Sequence, residues 1–267
     1  VMVFLLFRET TRPFLARVRA KQTENLIATI PARSKENQRV IFVTSYTTDD
    51  FIQPAPRITT RAFLTILISL EAAVILLQVL AWVFGSRILS FLSLIPIAVT
   101  LGMIFFPKQR EPQDPSLDNC GILLELGSIL VKARPLSTTV SFFFCGSRSL
   151  NSGVQKLPQF LKGGPSLTYI VDLINLNDKR INIVTADGGV ISKPSESLLV
   201  ETLMEVGREK KLPTQEFKFN QITEAYPLKF RGFKTVSVTN PLSGYAGDAP
   251  DQDLRELLIG LIRKLDH

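Results

Sequence analysis

Two windows of the chain are apolar on every face of a helix. Residues 62–84 carry only Glu71 and Gln78 as strongly polar side chains, and residues 88–106 carry no charge. Gly85, Ser86 and Arg87 alone separate them, so the pattern predicts two long helices folded back on each other as an antiparallel hairpin. Outside this pair the periodicity changes. Residues 25–30 and 39–45 are β-branched and apolar and read as strands divided by the polar stretch 34–38. Beyond a polar, proline-containing linker at 108–116, Asp118 opens a helix whose Ile122, Leu123, Leu126, Ile129 and Leu130 recur at three-to-four spacing. Further strands are expected at 138–145, 167–174, 179–185 and 233–239, with helices at 195–210 and 251–265. Strands alternating with helices predict an α/β domain with a mixed central sheet, split in sequence by the hairpin.

Composition adds a solvent to this picture. A mean hydropathy of +0.20 with 45% hydrophobic residues is more apolar than an ordinary soluble domain. The spans are long enough for a hydrocarbon core of ~30 Å, so the hairpin is expected to be transmembrane. The net charge of +7 is concentrated early. Residues 1–61 hold ten Lys or Arg against five acids, and Arg57, Arg61, Lys108 and Arg110 flank the pair while Arg87 alone sits at its tip. That asymmetry predicts flanks and soluble domain in the cytoplasm, and it assigns the basic excess to a membrane surface, with no nucleic-acid partner. The expected order is an apolar start with a basic juxtamembrane segment at 1–19, a first piece of the α/β domain at 20–56, the hairpin at 57–107 (spans 62–84 and 88–106), and the remainder of the domain at 108–267. Glu71 and Gln78 lie two helical turns apart and share a face. An intramembrane carboxylate there reads either as a functional group or as a protonated acid bonded to a neighbouring helix.

Most catalytic chemistries fail on the residues. There is no phosphate-binding glycine loop, no dinucleotide fingerprint and no nucleophile elbow. His267 is the sole histidine and Cys120 and Cys145 the sole cysteines, a spacing that fits neither a zinc knuckle nor a disulfide framework.

The order of the segments NLIATIP, RVIFVTSYTT, the hydrophobic hairpin, SLDNCGILLELGSIL, STTVSFFFCGSRSLNSG, YIVDLINL, RINIVTADGG and GFKTVSVT resembles metallopeptidase family 28. The likeness is to the di-zinc aminopeptidase-like members that carry a membrane hairpin between their first two metal motifs. The resemblance implies an aminopeptidase-like mixed sheet flanked by helices. Active members hold two zinc ions between histidines and carboxylates, with a glutamate as general base. Carried onto this chain, the His-x-Asp motif falls on Ser45, Tyr46 and Thr47, the bridging aspartate on Asp118 beside Asn119, and the Glu-Glu pair on Arg148 and Ser149. A third acidic ligand falls on Ile174 or, two residues earlier on the same strand face, on Asp172. Asp118 and Asp172 are thus vestigial metal candidates, with Ser45, Thr47 and Ile174 at lost positions and no catalytic residue. A neutral hydroxyl and a guanidinium are unfit for zinc. Asp118 reads as a helix N-cap, and Arg148 as a solvated cation or as an ion pair with Asp118 or Asp172 filling the former site. The resemblance therefore implies a degenerate, non-catalytic member that needs no cofactor and uses Asn119 and Arg148 in the former cleft to bind a peptide or protein. Two alternatives stay open: an active zinc peptidase with an atypical metal site, and a membrane transport or assembly subunit centred on the hairpin.

Overall fold

The structure, a computed structural model, describes residues 24–46, 60–105, 116–146, 153–161, 167–176, 178, 180–188, 192–219, 223–241 and 249–266. Among them the strands are β1 (Leu26–Ile30), β2 (Gln38–Ser45), β3 (Thr138–Cys145), β4 (Leu167–Leu176), β5 (Ile181–Asp187), β6 (Lys193–Pro194), β7 (Thr214–Phe219) and β8 (Lys234–Pro241). They form one sheet in the order β1-β3-β2-β4-β8-β5-β6, with β7 also on β5. β3, β2, β4 and β8 run parallel, β1 pairs antiparallel with β3, and β5 pairs antiparallel with β8. The two sequence segments on either side of the hairpin therefore join in one sheet, β2 lying between β3 and β4.

The helices are α1 (Thr60–Phe84), α2 (Arg87–Leu92), α3 (Leu94–Phe105), α4 (Ser116–Lys132), α5 (Leu157–Phe160), α6 (Ser197–Glu209), α7 (Tyr226–Lys229) and α8 (Ala249–Leu265). Strand alternation divides the core into two layers. Val40 and Phe42 of β2, Val171 and Leu173 of β4 and Val236 and Val238 of β8 meet Leu123 and Leu126 of α4, Leu203 and Val206 of α6 and Leu257 and Leu261 of α8. On the opposite face Ile41, Val43, Phe143 and Ile170 pack on Val154, Leu157 and Leu228. Each such fully buried side chain contributes roughly 1.5–3 kcal/mol. Period two on the central strands and 3.6 on the three helices are thus two readings of one apolar layer.

The expected hairpin is present as helices, and its second limb departs from the sequence reading. Instead of one helix over 88–106, the ladder is interrupted at Ser93, giving helices of 6 and 12 residues. Pro96 is the cause: it has no N–H for the carbonyl of Leu92, four residues back. At the interruption Ser93 Oγ donates to the Ser90 carbonyl at 2.7 Å and accepts from Gln78 Nε2 at 2.6 Å, which ties the limbs together. Gln78 is thus used inside the hairpin, while Glu71, two turns earlier on the same face, is half-buried. Among the described residues no helix is long and apolar enough to cross a membrane. The hairpin nevertheless keeps large apolar side chains exposed, Trp82 at 85%, Ile88 at 73% and Phe84 and Phe91 at 71%.

Candidate functional site

The central sheet splits at the carboxyl end of its parallel strands. β2 and β4 pair only as far as Val43 and Asp172, whereas β2 stays on β3 to Ser45 and β4 stays on β8 to Leu176. The chain leaves β2 for β3 on one side and leaves β4 for β5 on the other, so the split falls where consecutive connections diverge. In open α/β sheets that divergence makes a crevice beyond the carboxyl ends of the strands, the usual place for a ligand.

Asn119, from the first turns of α4, enters this crevice. It is fully buried, and its Nδ2 donates to the Leu173 carbonyl at 3.2 Å. A carbonyl only accepts, which fixes the amide's orientation and leaves Oδ1 as the remaining acceptor. That oxygen has no hydrogen-bond partner, and neither has the fully buried Thr44 Oγ1, which by strand alternation stands on the face α4 covers. Asn240 Oδ1, buried near the end of β8, is in the same condition. Buried polar atoms without partners cost about 1–3 kcal/mol each, and Thr44 and Asn240 stand toward the carboxyl ends of their strands on the same sheet face as α4. Cys120, half-buried, donates its thiol to the Ser45 carbonyl at 3.7 Å and forms the rim. Across the edge Gly146 is held close, its N–H donating to Asn25 Oδ1 at 3.1 Å. A Cβ there would run into the Glu24 carbonyl and the Tyr46 hydroxyl, which are hydrogen-bonded to each other.

The residues singled out from the sequence do not all gather here. Ser45 is buried and its Oγ donates to the Cys145 carbonyl at 3.5 Å, so the hydroxyl closes the β2–β3 edge. The helix bearing Asp118 begins at Ser116, which makes Asp118 its third residue and corrects the expected cap position. First-turn acids still favour a helix N-terminus electrostatically. Asp172 is fully buried on the opposite face from Asn119, its Oδ2 accepting from the Ala225 amide at 3.1 Å and from Ser237 Oγ at 3.3 Å. Ile174, on the same face, is buried. Alternation explains this: Asn119 reaches the backbone of Leu173, and the residues on either side of Leu173 point away from α4. Thr47, Arg148 and Ser149 lie outside the described residues, as does residues 1–19. Among the described residues no group of three or more His, Cys, Asp and Glu is placed to hold a metal ion.

A second polar cluster escaped the sequence reading. β5 carries a bulge, with Thr185 as the extra residue opposite β7. The extra residue reverses the alternation, so Asp187 is turned away from the face of Ile181 and Ile183. It meets Lys229 of α7 in a fully buried ion pair and accepts from Thr223 Oγ1. Lys229 Nζ also donates to Ser195 Oγ at 3.0 Å, and that hydroxyl donates in turn to the Val184 carbonyl. Lysine donating to serine is the reverse of what a serine nucleophile requires, so the arrangement is architectural. Burial, with the Asp187 charge adding to it, pushes the nearby Tyr226 phenol up to about 12.

No family model and no curated protein matches the chain. Solved structures do. The LapA aminopeptidase of Legionella pneumophila superposes over 99% of this chain and 61% of its own, with a TM-score of 0.50 and 8% identity. BSAP, a zinc aminopeptidase from Bacillus subtilis, covers 90% of this chain and 49% of its own, at a TM-score of 0.49 and 10% identity. The TET1 peptidase of Pyrococcus horikoshii covers 53% and 46%, at 0.41 and 15%. This chain thus spans between about half and three-fifths of the length of the structures it is similar to. The central mixed sheet with helices on both faces is an aminopeptidase-like fold.

Proposed function

We propose that this chain is a degenerate relative of the di-zinc aminopeptidases of metallopeptidase family 28, one that binds a peptide or protein segment at the β2–β4 crevice without cleaving it. The observation that carries the reading is the donor set at the crevice. Asn119 offers a neutral amide, Ser45 has committed its hydroxyl to the Cys145 carbonyl, and Asp172 is turned to the other face, holding Ala225 and Ser237. Neutral oxygens of this kind do not fit a pair of zinc ions, which take imidazole, thiolate and carboxylate ligands. Arg148 and Ser149, at the positions of the family's Glu-Glu pair, support the same reading from the sequence. Calorimetric titration of the full chain with unstructured peptides, followed by mass analysis of the peptides, tests it. Saturable binding with intact peptide is expected; hydrolysis that a chelator abolishes would overturn it.

The finer part of the proposal is that the hairpin seats the protein in lipid, with the α/β domain on the cytoplasmic side. Its support is the exposed apolar surface of α1 and α2, including Trp82, Phe84, Ile88 and Phe91 at the turn, beside an exposed Arg87. A helix that is apolar all round belongs in a protein interior or in lipid. A pair that enters and returns on one side of a bilayer needs no complete span. Trp82 is the sole tryptophan, so its fluorescence reads the hairpin directly. Blue-shifted emission quenched by brominated acyl chains in vesicles is expected, and emission insensitive to brominated lipid would overturn the lipid reading. Labelling of a cysteine placed at Ser86 from one side or the other of sealed vesicles then separates a crossing hairpin from a re-entrant one.

A further inference from the structure

Asn119 and Thr44 specify more about the crevice than that it binds. Because Asn119 Nδ2 is fixed on the Leu173 carbonyl, what remains of the amide is an sp² oxygen that accepts and cannot donate, and Thr44, on the sheet face that α4 covers, adds a hydroxyl that can accept. Both atoms are fully buried and lack partners. A carboxylate or phosphate oxygen brought against Asn119 Oδ1 would set lone pair against lone pair in a poorly solvated place, which disfavours anions here. The opening is marked by Cys120 and Tyr46, both half-buried, at the end of β2 and the start of α4.

We infer that the crevice takes a nitrogen-borne hydrogen-bond donor, the N–H of a peptide ligand, onto Asn119 Oδ1 and Thr44 Oγ1. The inference rests on the proposed peptide-binding reading and assigns its recognition atoms. The same chemistry is offered by the ammonium at a free chain end and by an internal amide, which the ligand arms below separate. No bond is made or broken in the binding event. Selectivity comes from acceptors that gain a partner only from a donor-bearing ligand, since a ligand lacking the donor leaves them unpaired.

Cys120 supplies the readout. It is half-buried at the rim while Cys145, the other cysteine, is fully buried, so alkylation of the folded full chain reports on the crevice. An extended peptide is expected to slow Cys120 alkylation. Its depsipeptide analogues, in which single N–H groups are replaced by ester oxygen, are expected to include one that needs about tenfold more ligand for the same protection. Thr44→Val, which keeps the volume and removes the hydroxyl, is expected to weaken protection by a similar factor, with the circular dichroism spectrum unchanged. Loss of protection on N-acetylation names the chain-end ammonium as the donor, and retained protection names an internal amide. Depsipeptides that all protect as well as the parent would overturn the inference. So would calorimetric binding of the peptide with Cys120 alkylation unaffected, which leaves peptide binding intact but elsewhere. Absence of any peptide binding would instead overturn the reading on which the inference stands.

Discussion

Lys229→Met tests how the α7 segment is fastened to the sheet. In the folded chain Asp187 is fully buried and the Lys229 side chain is 4% exposed, with the ammonium placed between the carboxylate and Ser195 Oγ. Methionine keeps most of the volume but leaves Asp187 with Thr223 Oγ1 against a buried charge. Breaking a buried pair from one side costs about 3–5 kcal/mol, and the retained Thr223 bond places the expected loss near the lower end, about 3 kcal/mol. The double variant Asp187→Leu, Lys229→Met removes both charges together with their desolvation cost, and is expected within about 1 kcal/mol of the parent. The double variant should therefore be about 2 kcal/mol more stable than Lys229→Met alone, the opposite of what independent sites would give. Denaturant unfolding of the full chain, followed by far-ultraviolet circular dichroism, measures all three stabilities. A double variant as unstable as Lys229→Met would refute the reasoning, because it would show that an orphaned carboxylate is not what the single replacement creates.

Other replacements probe separate features. Asp266 ends α8, and although burial opposes its charge, the amides of Leu136, Ser137 and Thr138 outweigh it and hold the carboxyl below the usual range. A depressed folded pKa stabilises above the unfolded value of about 3.9 and is lost as pH falls through the folded one. Asp266→Asn should cost about 1 kcal/mol at neutral pH, a figure reduced for partial exposure, and should flatten the acid limb of a stability profile below pH ~4. Gly260→Ala places a methyl against Val206 where α8 crosses α6 and should cost about 1–3 kcal/mol, relieved in part by Val206→Ala. Gly121→Ala in α4 meets nothing within 4 Å and should stabilise by up to about 1 kcal/mol in the same unfolding assay.

The sheet and its three long helices were legible because burial on two faces writes itself as period two or 3.6, as in Val40 to Val43 and in Leu254, Leu257, Leu258 and Leu261. β7 was missed because it lies at an edge: Thr214–Phe219 alternates exposed and half-buried positions and carries Gln, Glu and Lys. The interruption at Ser93 was missed because Pro96 sits inside an apolar run, where hydrophobicity hides the missing N–H. At the site, the helix that carries Asn119 was readable from the three-to-four spacing that follows it. That neither Asp172 nor Ile174 faces α4 was not, since a one-residue difference in register reverses the face. The Asp187–Lys229 pair depends on a single extra residue, Thr185, and on two groups 42 positions apart, neither of which leaves a mark in periodicity.

Metal content tests the account most directly. The full-length chain, purified with zinc present and freed of loosely held ions, should contain no stoichiometric zinc by elemental analysis. It should also show no chelator-sensitive turnover of aminoacyl substrates, because among the described residues the crevice presents Asn119 and Thr44 where a di-zinc enzyme needs imidazoles and carboxylates. Stoichiometric zinc together with aminopeptidase turnover that chelation removes and zinc restores would contradict it.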